Sequence, residues 1–195
     1  PLIFFFSTIF QHYNLLHYNY IRKKMNQEKF KKINKACFLD RDGVLNEDVG
    51  YLHKSEDFKW IDGAVEAIKL LKKNNFLVIV ITNQSGISRG YFDSKDVTNL
   101  HEWMNKILKK EDIQINDFFF SGDLPNNNPE SRRKPSPKMI NEAVEKYNLD
   151  KTRCFMIGDK LSDLEAAKNA QIKGFLFNKS NLKNFIEKIL DKINF

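Results

Sequence analysis

A chain of 195 residues, 42% hydrophobic and 29% charged, is long enough for one domain with a real core and short for two. The formal net charge of +7 comes from lysines spread along the whole chain, not gathered in one tract, which argues against a nucleic-acid partner. Two cysteines, Cys37 and Cys154, both inside apolar runs, exclude a cysteine-built metal cluster and fit buried reduced thiols of a cytoplasmic protein better than a disulfide.

Residues 1–24, PLIFFFSTIFQHYNLLHYNYIRKK, contain no acidic residue and differ in character from the rest of the chain. Their apolar part is too short and interrupted for a membrane span, and the basic cluster at Arg22 lies on the wrong side for a signal peptide. They read as a non-native or upstream-translated segment, with one functional domain over residues 25–195 starting at Met25; an interfacial anchor is the alternative. From residue 35 short apolar runs alternate with helical patterns. Lys35–Asp40 is a strand candidate, and Val65, Ile68 and Leu71 share one face of a helix over Asp62–Lys73. Phe76–Thr82 is a β-branched run suited to a parallel strand buried on both faces. Asp93 is an N-cap for a helix with a Val97, Leu100, Met104, Ile107 stripe, and Asp117–Ser121 is a third strand. Ser136 and Pro137 open a further helix. Cys154–Asp159 is a strand, Ser162 and Glu165 form a capping box, Lys173–Phe177 is the fifth strand, and Leu182–Ile193 closes the chain as an amphipathic helix. This alternation predicts an α/β fold: a Rossmann-like doubly wound parallel sheet with helices on both faces.

Such sheets bind ligands at the carboxyl ends of their strands. The first strand ends at Asp40-Arg41-Asp42, the second at Thr82-Asn83-Gln84-Ser85, and the fourth at Asp159-Lys160 with Asp163 close behind, while Lys134 precedes a helix between them. Carboxylates gathered at one edge repel one another unless a cation joins them, and oxygen ligands without His or Cys suit Mg2+. An Asp can attack phosphorus, a second Asp two positions on can protonate the leaving oxygen and then activate water, and Thr82 with Lys134 can hold the transferred group. A calcium loop starting at Asp40 fails, because its sixth and twelfth positions hold Leu45 and Tyr51 instead of Gly and Glu. Asp159 and Asp163 could be simple helix caps, and Lys134 or Thr82 taken singly would be an ordinary solvated charge or strand-end residue. Their order on successive strand ends favours a phosphoryl-transfer site.

DRDGV at Asp40, TNQSG at Thr82, RKPSP around Lys134 and GDKLSD at Asp159 resemble the four motifs of the haloacid dehalogenase superfamily of aspartate-nucleophile phosphatases. FLDRDGVLNEDVGY, ITNQSGISRGYF, RRKPSPKMI and MIGDKLSDLEAA are similar, more narrowly, to its D-glycero-D-manno-heptose 1,7-bisphosphate phosphatase branch and, less closely, to histidinol-phosphate phosphatases. The resemblance implies Asp40 as nucleophile, Asp42 as general acid and base, and Thr82 and Lys134 as stabilisers of the phosphoryl group. It implies Mg2+ on Asp40, the backbone carbonyl of Asp42, and Asp159, with Asp163 supporting Lys160 or the turn. Substrate contacts would come from Arg41, Asp48, Val49, Gly50, Tyr51, Asn83, Gln84, Ser85, Arg133 and Lys160. Members of this branch often carry a zinc loop of Cys and His pairs, but the matching positions here are Ser121, Asp123, Glu130 and Arg132, so zinc is not expected and the loop must be held in another way.

About thirty residues separate Val44 from the second strand, too few for an inserted cap domain, so the site should be open and its specificity set by loops. The expected activity is removal of the 7-phosphate of a heptose 1,7-bisphosphate, in nucleotide-heptose synthesis for lipopolysaccharide or another surface glycan. The expected partner is a small phosphorylated sugar, with no nucleic acid, no membrane and a monomeric chain. Histidinol phosphate is the alternative substrate, and a nucleic-acid 3'-phosphatase or binder the alternative from another class.

Overall fold

The computed structural model describes residues 34–125, 128–178 and 180–193, so the reading of residues 1–24 lies outside the described residues. Five parallel strands, β1 (Ala36–Leu39), β2 (Leu77–Asn83), β3 (Asp117–Ser121), β4 (Phe155–Gly158) and β5 (Lys173–Leu176), lie in the order β3-β2-β1-β4-β5. The helices are α1 (Ala64–Lys73), α2 (Ser94–Leu108), α3 (Lys138–Tyr147), α4 (Leu161–Asn169) and α5 (Leu182–Lys192).

Continuous apolar runs in the central strands fill two cores, because alternate side chains point to opposite faces. Ala36, Phe38, Ile79, Ile81 and Met156 pack with Met139, Ile140 and Ala143 of α3 and with Ala166 and Ala167 of α4. Cys37, Leu39, Val78, Val80, Phe155 and Ile157 pack with Ile68 and Leu71 of α1, Leu100 and Met104 of α2, and Ile186 and Ile189 of α5. The doubly wound sheet anticipated from the pattern is therefore the fold of this chain. Both cysteines are buried free thiols.

The chain moves outward from β1 through β2 to β3 and then returns to β4 on the other side of β1, so the crevice between the ends of β1 and β4 is the switch point where such sheets bind ligands. Leu39 stands between Val80 and Ile157 in register, and the Asp40 N–H donates to the Ile157 carbonyl at 2.9 Å, carrying the ladder one residue past the strand. No domain is inserted between β1 and β2 among the described residues, only the loop through residue 63 and α1.

Three local expectations shift by a residue or two. The buried stripe of α2 runs Val97, Leu100, His101, Met104 and Leu108, taking in Leu108 instead of Ile107. The N-terminus of α4 is capped by Asp163 and not by a Ser162–Glu165 box: the Asp163 Oδ2 accepts the Lys160 N–H at 3.0 Å, because Asp163 stands three residues into the turn and reaches back. Pro137 sits at the N-cap of α3, with the Ser136 hydroxyl accepting the Lys138 N–H at 3.4 Å.

Candidate active site

Asp40 follows β1 at the switch point and is 5% exposed. Its Oδ1 accepts the Arg41 N–H at 2.7 Å and pairs with the Lys134 Nζ at 2.8 Å. Lys134, 3% exposed, directs its ammonium to three acceptors: Asp40, the Asp163 Oδ1 at 2.7 Å and the Ile81 carbonyl at 2.8 Å. Three acceptors match the three protons of an ammonium, which is what lets a lysine charge persist in so buried a place. Burial opposes that charge, but Asp40 and Asp163 outweigh it and raise the Lys134 pKa above the ordinary lysine value. Burial, helped by Asp163 and Asp42 and opposed by Lys134, raises the Asp40 pKa to about 7.

The backbone of Lys134 is itself clamped. The Asn83 carboxamide accepts the Lys134 N–H at 2.9 Å and donates to the Lys134 carbonyl at 3.1 Å, fixing the α3 approach to the end of β2. Gln84 donates to the Thr82 Oγ1 at 2.9 Å and to the Asp42 Oδ2 at 2.8 Å. The Asp42 Oδ1 accepts from Asn46 at 2.9 Å, and the Arg41 guanidinium bonds both carboxylate oxygens.

Asp40, Asp159 and Asp163 bring carboxylate oxygens within 4.8 Å of one another. Gly43, at φ +91°, makes this approach possible, since a Cβ there would overlap the Asp159 carboxylate. An all-oxygen donor set gathered at one strand edge fits a hard divalent cation such as Mg2+.

A cavity of about 340 Å³ opens above Asp40 and Asp163, lined also by Asp42, Thr82, Asn83, Gln84, Ser85 and Lys134 at its floor and by Asp48, Gly50, Tyr51, Arg133 and Lys160 at its mouth, while Asp159 is not among its lining residues. Of the residues read from the sequence as substrate contacts, two stand apart. Arg41 is 0% exposed and its side chain turns away into the protein, because Asp42 and the Leu52 carbonyl give a buried guanidinium the acceptors it requires. Val49 is exposed beside the cavity and does not line it. At the mouth, Lys160 pairs with Asp48 at 3.0 Å, and the loop turns at Gly50 and Tyr51, both at positive φ. Arg133 lines the cavity and the Arg89 guanidinium lies 6.0 Å from the ring centroid of Tyr51, so two guanidinium groups stand at this rim, and burial and the Arg89 charge lower the Arg133 pKa from the usual arginine range.

The loop after β3 is held by an aspartate. The Asp123 Oδ2 accepts the Ser131 hydroxyl at 2.6 Å and the Arg132 N–H at 3.1 Å, while the Asp123 carbonyl accepts from Arg133 at 3.1 Å. Arg132 forks onto Glu142 of α3 at 2.6 and 2.9 Å, and Glu130 pairs with Lys138 at 2.7 Å. The positions Ser121, Asp123, Glu130 and Arg132 thus carry hydrogen bonds and ion pairs that aim Arg133 at the cavity. Sequence reasoning missed Asp123 and Glu142 in this role, and it missed the contact between His101 and Arg41, whose only signal is a polar residue on the apolar stripe of α2.

The haloacid dehalogenase-like hydrolase family matches residues 9–171. The chain is 39% identical over 146 residues to the D-glycero-beta-D-manno-heptose-1,7-bisphosphate 7-phosphatase of Haemophilus influenzae, covering 72% of this chain and 79% of that one. It is 38% identical over 143 residues to the enzyme of the same name from Escherichia coli K12, covering 70% and 75%. Among solved structures, the D,D-heptose bisphosphate phosphatase of B. bronchiseptica, complexed with magnesium and phosphate, superposes with a TM-score of 0.72 at 26% identity, covering 83% of this chain and 100% of that one. A strand order that puts paired aspartates, a threonine and a lysine at one switch point agrees with these matches, and the chain belongs to the haloacid dehalogenase-like hydrolase family.

Proposed function

We propose that this chain is a Mg2+-dependent phosphatase that removes the 7-phosphate of D-glycero-D-manno-heptose 1,7-bisphosphate, in nucleotide-heptose synthesis in the cytoplasm. The observation that carries the reading is the buried Asp40 carboxylate, oriented through Oδ1 by Lys134 and the Arg41 N–H at the floor of an open, cation-rimmed cavity. With Oδ1 so held, Oδ2 is the atom that attacks phosphorus. The bond from phosphorus to the sugar oxygen breaks as Asp42 delivers a proton to that oxygen. Asp42 then takes a proton from water, water adds to phosphorus, and the bond to Asp40 breaks to release phosphate. Lys134 and the Thr82 hydroxyl hold the phosphoryl oxygens, with Gln84 fixing both Thr82 and Asp42. Asp40, Asp159 and the backbone carbonyl of Asp42 would hold Mg2+, which supplies positive charge against the phosphoryl oxygens when bound.

A metal test needs no turnover. The Asp40 pKa lies above its ordinary 3.8, so the folded protein takes up a proton over the window from there to about 7, and the stability of the metal-free protein falls as pH rises through that window. Mg2+ binds the deprotonated carboxylates and opposes this loss. Thermal unfolding should therefore show MgCl2 raising Tm by several degrees near about pH 7.5, by much less near about pH 5, and not at all in Asp159→Asn. A shift of equal size in Asp159→Asn would overturn the metal assignment.

The substrate choice rests on the relatives and on the rim. Arg133 and Arg89 favour a second phosphate on the substrate and oppose histidinol phosphate, which carries an ammonium next to its phosphate-bearing carbon and an imidazole, with no second phosphate, at its far end. The enzyme should turn over heptose 1,7-bisphosphate with a kcat/KM at least roughly tenfold above that for histidinol phosphate. Arg133→Met should erase most of that preference through KM, with p-nitrophenyl phosphate hydrolysis little changed. Histidinol phosphate as the better substrate would sink the reading.

A further inference from the structure

Asp42 is held by a side chain that never reaches the cavity. Arg41 is 0% exposed, and its Nε and Nη2 bond the Asp42 carboxylate at 3.0 to 3.1 Å while Nη2 also donates to the Leu52 carbonyl at 2.8 Å. One guanidinium thereby links Asp42 to the far end of the loop that carries Asp48 and Tyr51. Its remaining nitrogen, Nη1, approaches the His101 Nε2 at 3.4 Å, and among the described residues no other acceptor meets it. His101 comes from the middle of α2, is 5% exposed, and lies flat on Phe118 with ring centroids 4.3 Å apart and an interplanar angle of 12°. Phe120 meets the same ring edge-on at 6.0 Å.

We infer that His101 is a positioning residue for the phosphatase reaction: its imidazole, clamped on Phe118, accepts from Arg41 and so keeps the guanidinium square to the Asp42 carboxylate that transfers the proton. The inference rests on the role proposed for Asp42. A buried guanidinium N–H without an acceptor costs the desolvation of that group, and a long side chain relieves the cost by rotating toward another acceptor. Here rotation would carry Nε and Nη2 off Asp42. His101 removes the reason to rotate, and it does so in its neutral form, since burial and the Arg41 charge hold its pKa well below the ordinary value. With Nε2 as acceptor, the ring proton sits on Nδ1.

The test separates proton delivery from general damage. Release of a sugar alkoxide needs the proton from Asp42, whereas p-nitrophenolate leaves without one, and kcat/KM reports the steps up to departure of the leaving group. His101→Phe keeps the contact with Phe118 and removes the acceptor. It should lower kcat/KM for the best sugar phosphate substrate roughly tenfold, a part of the about 10²–10⁴-fold that a general acid supplies, while kcat/KM for p-nitrophenyl phosphate stays within about twofold. His101→Gln restores an acceptor without the ring and should recover most of the lost rate. Should His101→Phe not fold, His101→Leu takes its place in the comparison with Gln. Equal losses on both substrates, no loss on either, or a Gln variant worse than Phe would overturn the inference. Asp42→Asn serves as the reference: if it spares the sugar phosphate, the role of Asp42 itself fails, and if it abolishes that turnover while His101→Phe does not, only the part given to His101 fails.

Discussion

Asp40→Asn should abolish turnover of every phosphate ester while leaving the protein folded. An amide nitrogen or oxygen at this position cannot form the acyl phosphate, so the loss is of the nucleophile itself and not of a contributing contact, and residual rates should lie at least about 10⁴-fold below the wild type. The fold should tolerate the change, because burial of the Asp40 carboxylate is unfavourable enough to raise its pKa to about 7, and a neutral amide of the same shape removes that cost. The Asn side-chain oxygen can still accept from Lys134 and from the Arg41 N–H, the two donors now within 2.8 and 2.7 Å. Stability of the metal-free variant near neutral pH should therefore match or exceed that of the wild type, and its dependence on pH between about 4 and 7 should flatten. Activity assays with p-nitrophenyl phosphate, paired with urea unfolding at two pH values, check both halves. Activity within about a hundredfold of wild type would remove Asp40 from the role of nucleophile.

The residues legible from sequence share one property: each ends an apolar strand, where a charged or polar side chain has no structural reason to be. Asp40, Thr82 and Asp159 fall there, and the parallel order of the strands brings them to one crevice without any knowledge of side-chain positions. Lys134 is legible only through its motif, since nothing in its spacing shows that the ammonium turns inward to meet Ile81, Asp40 and Asp163. What sequence could not supply are contacts between distant elements. Arg41 reads as a substrate contact at the end of the first strand, yet its guanidinium lies inside, because Asp42, Leu52 and His101 converge from two loops and a helix to receive it. Asp123 reads as a departure from the relatives' loop, and only the fold shows it gathering Ser131, Arg132 and Arg133. Asp163 reads as support for Lys160 or its turn. It does bond the Lys160 N–H, and its other oxygen reaches Lys134, a partner from before α3 that no local pattern could name.

Lys134→Met tests that last link, and both of its effects should be large. Methionine fills the space of the lysine stem but leaves Asp40 and Asp163 facing each other without the cation that now lies 2.8 and 2.7 Å from them. Removing one member of a buried ion pair costs about 3–5 kcal/mol, since the surviving charge stays buried. For a chain of this size each kcal/mol lowers Tm by about 2–4 °C, so the metal-free variant should melt at least several degrees lower near neutral pH. The sign of the pH dependence is set by which group is left behind. Lys134 lowers the Asp40 pKa in the wild type, so without it the carboxyl binds its proton more firmly, and protonation relieves the repulsion with Asp163. Stability of the variant should thus recover as pH falls below that raised pKa, toward the wild-type value near about pH 5, whereas a loss caused by poor packing of methionine would persist at every pH. Turnover should fall by about 10²–10³ in kcat, the effect of removing a donor aimed at charge that develops on the phosphoryl oxygens. Mg2+ should stabilise the variant by more than it stabilises the wild type, because the ion then restores positive charge that the lost ammonium no longer brings to two buried carboxylates. A variant whose Tm deficit is independent of pH and unaltered by MgCl2 would show that Lys134 is not the counter-charge on which this cluster depends.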